Sequence, residues 1–178
     1  MANPPAPKIR RVITGHDSTG AAVFLSDEMV DSISAGGFSY DPLWATDNAP
    51  VVPNDGSIPT GIDFFPAPGG SRVVTWIAEP HGAVAPESTL EEFEAAAPGM
   101  ASFMEADDPG MHTTPTIDIN VVLSGEIWAV MDQDEALLTA GDILIQRGTA
   151  HGWENRSDKM ARVAFVLIDA IRGGVSRR

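Results

Sequence analysis

The chain has no cysteine among its 178 residues. A disulfide framework, a thiolate zinc site and a cysteine nucleophile are therefore all excluded. Basic residues are also scarce, since 11 Lys and Arg stand against 25 Asp and Glu, for a formal net charge of −14. Nucleic acids and anionic membranes attract clustered Lys and Arg. We therefore expect neither as a partner, and expect a small molecule instead.

Long apolar runs are missing as well. No stretch approaches the ~18 consecutive apolar residues that a membrane span requires, and the Pro-rich residues 1–9 lack the apolar core of a secretory signal. The sequence therefore predicts a cytoplasmic protein. At 178 residues with 43% hydrophobic content, we expect one domain, with a flexible arm at residues 1–9 and a flexible tail at residues 171–178.

Short β-branched and apolar runs fill the C-terminal third of the chain and are separated by glycine turns. They predict strands at residues 116–123, 126–131, 143–146, from His151 onwards, and at 161–169. Short strands at this spacing are typical of an antiparallel barrel or sandwich. The expected fold class is therefore all-β.

Further strands precede this region. The sequence predicts a hairpin over residues 10–25, an edge strand over residues 38–46 because of Pro42, and a strand over residues 70–79. Strands between residues 10 and 46 are more than a barrel needs, and exposed strands are often covered by a partner. We therefore expect a homodimer.

One short helix is predicted near the middle of the chain. Thr89 and Glu92 fit the capping-box pattern, and Pro98-Gly99 ends the helix at about Ala97. Residues 99–111 follow and contain an Asp-Asp-Pro-Gly turn. This segment is either a lid over the barrel mouth or an ordered connector.

The spacing of residues 112–125 resembles the first motif of the cupin superfamily. That motif is normally G-x5-H-x-H-x3,4-E-x6-G, and here it reads His112-x-Thr114-x3-Asp118-x6-Gly125. Thr114 stands in place of the second His, and Asp118 stands in place of the Glu. The resemblance implies a cupin double-stranded β-helix, or jelly-roll, barrel.

A second set of residues resembles the second cupin motif, which is normally G-x5-P-x-G-x2-H-x3-N. Here it reads Gly141-x4-Gln146-x-Gly148-x2-His151-x3-Asn155, one residue short in its first gap and with Gln in place of Pro. Together the two motifs place the barrel core at residues 112–170. Residues 10–111 would supply extra strands, a loop and the short helix that pack on it. The runs around the motifs resemble a cupin subgroup found beside small-molecule and polyketide metabolic genes.

Metal-binding cupins use the His and Glu residues of these motifs as ligands. By this resemblance, His112, Asp118 and His151 are the candidate ligands of a divalent metal such as Fe, Mn, Ni or Zn. Two imidazoles and one carboxylate form the facial triad of non-haem Fe(II) oxygenases. Asp is one methylene shorter than Glu, so a metal-free site is an equal alternative.

The same three residues are the candidate catalytic groups. Asp118 lies between two isoleucines in an apolar strand, where burial without a cation would raise its pKa and suit it to general acid–base catalysis beside an imidazole. A salt bridge to Arg147 would instead make Asp118 structural. His112 and Asp118 would lie ~20 Å apart on a straight strand. We therefore expect a bend near Pro115 that brings both to one cavity with His151.

The candidate substrate contacts are polar residues near the motifs and four tryptophans. They are Thr114, Thr116, Gln146, Trp44, Trp76, Trp128 and Trp153. A pocket built from Trp, Met and Phe favours an aromatic or polyketide-like molecule over a sugar or a phosphate. Three functions stay open: a metal-dependent oxidoreductase or dioxygenase, a metal-free lyase or isomerase (dehydratase or decarboxylase), and a non-enzymatic binding barrel.

Overall fold

The structure is a computed structural model that describes residues 7–105, 107, 108 and 110–173. Residues 1–6 of the predicted arm and residues 174–178 of the predicted tail lie outside the described residues. Two positions of the predicted lid, residues 106 and 109, also lie outside them.

Twelve strands and one α-helix make up the described chain. The first five strands are β1 (Ile9–His16), β2 (Ala22–Val30), β3 (Ile33–Ala35), β4 (Phe38–Thr46) and β5 (Ser71–Ala78). They are followed by α1 (Leu90–Ala96) and a 3₁₀ helix (Met100–Phe103). The remaining strands are β6 (Met111–His112), β7 (Thr116–Ser124), β8 (Glu126–Val130), β9 (Glu135–Thr139), β10 (Ile143–Arg147), β11 (His151–Glu154) and β12 (Ala161–Asp169).

The strands form three antiparallel sheets. A six-stranded sheet has the order β10-β7-β12-β5-β4-β3, and a four-stranded sheet has the order β6-β11-β8-β9. Strands β1 and β2 pair only with each other. Val122 and Val163 of the larger sheet pack in one buried cluster with Ile127 of the smaller sheet. The two sheets therefore enclose a common core, as in the predicted all-β jelly-roll barrel.

Alternating burial shows which face of each strand points inward. On β7, the buried positions are Thr116, Asp118, Asn120 and Val122, while the positions between them are more exposed. This period of two is the normal geometry of a strand with one face on a core. Asp118 consequently points into the barrel.

A second buried cluster lies between the six-stranded sheet and the segment around α1. It is rich in aromatic side chains and contains Tyr40, Phe64, Phe65, Val74, Ala97, Met100 and Leu167. The Tyr40 hydroxyl donates a hydrogen bond of 2.9 Å to the carbonyl oxygen of Ala96, which fixes the C-terminal end of α1 against the sheet. Residues that precede the two motifs therefore close one side of the barrel.

The predicted helix forms with its predicted cap. The Thr89 side chain accepts a hydrogen bond from the Glu92 backbone N–H, and the Glu92 carboxylate accepts one from the Thr89 backbone N–H. Among the residues that the structure describes, no helix is long and apolar enough to cross a membrane.

The predicted strands are present, with one error of placement. β4 covers the predicted residues 38–46, but it is not an edge strand because β3 pairs with it outside. β3 is only three residues long and reaches Tyr40, so Pro42 lies beyond the pairing. Pro42 has no backbone N–H, but it lies in the part of β4 that does not pair with β3, so β3 loses no hydrogen bond. The sequence analysis missed β3 and β9. A strand was expected at His112, where the structure has the short β6.

The chain changes sheets between the two halves of the first motif. β6 belongs to the four-stranded sheet and β7 to the six-stranded sheet, and residues 113–115 between them form no strand. The bend predicted near Pro115 is therefore confirmed. It places His112 and Asp118 on opposite walls of the barrel.

Candidate active site

A cavity of about 380 Å³ lies inside the barrel. Ten apolar side chains line it: Phe38, Phe64, Phe65, Trp76, Phe93, Met100, Met104, Trp153, Phe165 and Leu167. Gly110 and three polar residues, His112, Asp118 and His151, complete the lining. The structure thus brings the three predicted catalytic residues to one cavity.

The two imidazoles lie side by side. His112 of β6 and His151 of β11 are directly opposed in the antiparallel register, and their ring centroids are 4.1 Å apart. Gly152 allows the strands to meet this closely, because a Cβ there would lie 2.8 Å from the Gly110 carbonyl oxygen. The short distance between the two imidazoles therefore follows from the backbone pairing of β6 with β11 in the smaller sheet.

His151 is the better anchored of the two imidazoles. Its Nδ1 lies 3.0 Å from the Thr149 carbonyl oxygen and 3.1 Å from Nε2 of Gln146. A carbonyl oxygen can only accept, so the neutral ring donates its Nδ1–H to Thr149. This tautomer leaves Nε2 unprotonated and available to a bound molecule. Burial also lowers the pKa of His151, although the Thr149 carbonyl partly opposes this.

His112 lacks a comparable anchor. Its buried Nδ1 has no hydrogen-bond partner of good geometry in the described chain. Burial, and secondarily the charge of His151, lowers the pKa of His112 to about 4, with weak opposition from the Gly110 backbone. Both imidazoles are therefore neutral at pH 7.

Asp118 faces them from the larger sheet. It is 4% exposed, and its Oδ1 has no hydrogen-bond partner within the described chain. Burial raises the pKa of Asp118 to about 6, while the Thr116 hydroxyl lowers it in part. The alternative of a salt bridge with Arg147 is wrong, because Arg147 is exposed and pairs with Ile117 on the outer face.

The residues do not assemble the facial triad that the resemblance implied. Within residues 7–105, 107, 108 and 110–173, no group of three His, Asp or Glu side chains could hold a metal ion. The arrangement is an imidazole pair on one wall and a separate carboxyl on the other. A metal held by His112, Asp118 and His151 therefore stays a prediction.

The polar residues predicted to contact substrate lie behind the cavity wall rather than in it. Thr114 and Thr116 are buried, and their hydroxyl oxygens are 2.8 Å apart. Gln146 is buried and donates from Nε2 to the Thr149 carbonyl oxygen at 2.9 Å. Gln146 therefore binds the Thr149 carbonyl oxygen that also accepts the His151 Nδ1–H, and it does not line the cavity.

Only two of the four tryptophans line the cavity, namely Trp76 and Trp153. Trp128 lies between the buried Ile127 and Ala129, so it points outward, where the Arg156 guanidinium lies 4.5 Å from its ring centroid. Trp44 is opposed to Val73 across β4 and β5, and lies outside the cavity lining. The predictions for Trp44 and Trp128 as pocket residues were therefore wrong.

The sequence analysis missed most of the aromatic wall. Phe64 and Phe65 come from the segment between β4 and β5, and Phe93 comes from α1. The only signal was the Phe-Phe pair itself, which is unusual in a stretch rich in Pro and Gly. The predicted lid segment contributes Met100, Met104 and Gly110 to the lining. The lid and the ordered connector both stay predictions for this segment.

Two antiparallel sheets that face each other across a common core are the architecture of a jelly-roll barrel. The double-stranded β-helix is a domain of this kind. The structure of an uncharacterized conserved protein with this domain from Klebsiella pneumoniae subsp. pneumoniae MGH 78578 has a TM-score of 0.45 and 20% identity, and the alignment covers 79% of this chain and 84% of that one. No family model matches the chain.

Two curated relatives match over nearly the whole chain. "Phomopsin biosynthesis cluster protein C'" from Diaporthe leptostromiformis is 34% identical over 177 residues, which cover 94% of this chain and 84% of the relative. "Cupin-domain-containing oxidoreductase fogC" from Aspergillus ruber (strain CBS 135680) is 31% identical over 169 residues, which cover 91% of this chain and 73% of the relative. The chain belongs to the cupin superfamily, in the family of these relatives.

Proposed function

We propose that this chain is an enzyme that moves a proton on a small, largely apolar organic molecule held inside the barrel. The observation that carries the proposal is the composition of the cavity: ten apolar side chains and, among the described residues, three polar ones that all titrate. An apolar pocket with a few convergent titratable groups is typical of an active site.

The groups in the cavity suit proton transfer near neutral pH. A carboxyl with a pKa of about 6 is largely ionised at pH 7 and is a stronger base than an ordinary Asp. On the opposite wall of the cavity, the neutral His151 offers Nε2, and its Nδ1–H is held by Thr149. A bound carbonyl compound would lose a C–H proton to Asp118 or to His151. The protonated group would then give that proton to the enolate oxygen in an enolisation, or to a leaving hydroxide, which departs as water, in a dehydration.

The sequence analysis predicted Asp118 as a general acid or base beside an imidazole. The contacts of His151 and Asp118 support this role over one in which Asp118 only orients the imidazole. In the structure, the Thr149 carbonyl oxygen anchors the His151 ring, and Asp118 Oδ1 has no partner in the described chain. Asp118 is therefore proposed as a reacting group in its own right.

The names of the relatives support both the substrate class and a second candidate reaction. Relatives are named for biosynthesis clusters or as cupin-domain-containing oxidoreductases. A small-molecule biosynthetic role for this chain agrees with its apolar cavity. An oxidoreductase would need a metal or an external oxidant, so elemental analysis of protein purified without chelator or metal-affinity tag separates the two candidates.

Proton transfer can be measured before the natural substrate is known. The chelator-treated protein would be incubated in D₂O with a panel of aromatic ketones, and the loss of C–H signal beside the carbonyl would be followed by proton NMR. We expect at least one ketone to exchange this proton faster with the protein than without it. If bound ketones never exchange, or exchange only after a divalent metal is added, the proposal is wrong.

We also propose that two copies of the chain associate through the outer face of the larger sheet. This face carries adjacent apolar side chains on three neighbouring strands, including Ile117 at 41%, Ile143 at 61%, Ile145 at 54% and Ile168 at 41% exposure. The β1–β2 hairpin exposes a further apolar side chain, Phe24, at 76%. Contiguous exposed apolar surface beside an edge strand commonly marks an interface.

The proposed dimer predicts that a variant in the outer face of the larger sheet has half the solution mass of the wild-type protein. Wild-type protein at micromolar concentration should sediment at twice the 18.8 kDa chain mass, and Ile145→Glu should give the single-chain mass, because a charge on this face opposes its burial. Leu90→Glu is the matched control, since Leu90 is 70% exposed on α1 and its change should leave the dimer intact. A wild-type protein of 18.8 kDa would contradict the proposal.

A further inference from the structure

Asn120 is a buried carboxamide that nothing in the site described so far explains. It lies in the middle of β7 and is 2% exposed. Neither its Oδ1 nor its Nδ2 has a hydrogen-bond partner within the described chain. Burying a donor and an acceptor without partners is unfavourable and uncommon in folded proteins, so the pair of atoms needs a partner.

The register of the sheet places Asn120 at the inner end of the cavity. Asp118 is opposed to Leu167, and Asn120 is opposed to Phe165; both partners on β12 line the cavity. The next inward-facing residues on these two strands belong to the buried core instead. Asn120 therefore lies where the cavity ends and the core begins.

A second unpartnered polar atom lies on the same face of the strand. Asp118 Oδ1 is buried without a partner, two residues before Asn120. Residues two apart on a strand point to the same side. Three polar atoms without a partner among the described residues therefore lie in or next to the inner end of an otherwise apolar cavity. Oδ1 of Asp118 belongs to a lining residue, whereas Oδ1 and Nδ2 of Asn120 belong to the residue directly behind it, opposite the lining residue Phe165.

We infer that Asn120 binds the polar end of the ligand, and that this end is a neutral group with an adjacent donor and acceptor, such as a carboxamide or a lactam. Such a group matches the donor and acceptor of the Asn120 carboxamide in a pair of hydrogen bonds. A charged end is disfavoured, because no Lys or Arg is among the residues that line the cavity. The inference rests on the proposed function in taking this cavity as the ligand site.

Two isosteric probes test the inference: benzamide, and α-methylstyrene, which has nearly the same shape without polar atoms. Their affinities would be measured for wild type, Asn120→Leu and Ile119→Leu by ligand-observed NMR. Asn120→Leu should weaken benzamide about 10- to 100-fold, as expected when a buried polar group loses its partner. The same change should leave α-methylstyrene equally or more tightly bound. Ile119, which points to the opposite face of β7, is the matched control and should change neither affinity.

Thermal unfolding separates ligand binding from a structural role. Because the Asn120 carboxamide has no partner among the residues that the structure describes, Asn120→Leu should keep or raise the melting temperature of the ligand-free protein. If it lowers that temperature and leaves benzamide binding unchanged, Asn120 holds only a buried water and the inference is overturned. As a check independent of variants, benzamide should shift the side-chain amide NMR signals of Asn120 in the wild type, whereas α-methylstyrene should shift them much less.

The outcomes also distinguish this inference from the proposed function. If α-methylstyrene binds and benzamide binding does not respond to Asn120→Leu, only the role of Asn120 is lost. If the wild type binds neither probe, the cavity is not a site for aromatic molecules, and both proposals are overturned.

Discussion

His151→Ala is expected to slow the deuterium-exchange reaction by a factor of about 10² to 10⁴, the usual contribution of one acid–base group. The change removes the unprotonated Nε2, which is the imidazole nitrogen that Thr149 and Gln146 leave free for a ligand. The free energy of unfolding should fall by only about 1–2 kcal/mol. Exchange rates by NMR and urea unfolding by tryptophan fluorescence would measure both effects.

The surface supplies a matched control for this variant. His16 is exposed at the end of β1, so His16→Ala should leave the exchange rate unchanged. Gln146→Leu removes the hydrogen bond to the Thr149 carbonyl oxygen, which holds the His151 Nδ1–H, and keeps the imidazole itself. Its loss of rate should therefore be smaller than that of His151→Ala. If His151→Ala retained full activity, the imidazole would be a structural residue of the barrel.

Asp118→Asn is expected to stabilise the protein at pH 8 and to have little effect below about pH 4. In the folded protein the carboxyl keeps its proton up to a pKa of about 6, whereas the ordinary value is 3.8. The folded state therefore binds the extra proton, and the free energy of unfolding falls as pH rises through this interval. The rise in the pKa from 3.8 to about 6 corresponds to a loss of about 3 kcal/mol in the free energy of unfolding at pH 8. Asn carries no titrating charge, so Asp118→Asn does not undergo this loss.

Urea unfolding at pH 4, 6 and 8 would measure the effect. Asp158→Asn is a suitable control, because Asp158 is exposed and the variant should follow the wild-type profile. The opposite result, a loss of stability in Asp118→Asn at pH 8, would show that the carboxylate is paired with a cation. The same experiment therefore tests for a bound metal without any activity assay.

His112 should mask much of this dependence in the wild type. Its pKa is lowered from 6.5 to about 4, so the unfolded chain binds the extra proton in nearly the same interval, and His112 makes stability rise with pH there. The change of stability with pH that His112 causes is therefore opposite in sign to the change that Asp118 causes. Asp118→Asn should therefore reveal a stability that rises with pH, and His112→Gln should reveal one that falls.

Features that depend on neighbouring residues in the sequence were predicted well, whereas features that depend on contacts between distant residues were not. β7 and β12 were predicted nearly to the residue, because long β-branched runs bounded by turns specify strands locally. The meeting of His112, Asp118 and His151 in one cavity was also predicted, from motif spacing and the need for a bend. Local pattern and family resemblance were sufficient for these features.

Other parts of the site depend on contacts that the sequence does not display. Phe64, Phe65 and Phe93 reach the cavity from a loop and a helix, through packing with strands far along the chain. Trp128 is different, because its neighbours Ile127 and Ala129 are apolar and a period of two would have turned it outward. Thr114 was a candidate substrate contact because it lies in the first motif, but it is buried against the Thr116 hydroxyl and does not line the cavity.

The chain passes from one sheet to the other at residues 113–115. The proposed reacting groups are therefore divided between two sheets that face each other. The two imidazoles move with the smaller sheet, and the carboxyl moves with the larger one. The width of the gap is therefore set by the thickness of the core that separates the sheets, where Val163 and Ile127 are fully buried. Substitutions deep in that core can retune the reacting distance without touching any residue of the cavity, which gives such a barrel a simple route to new substrates.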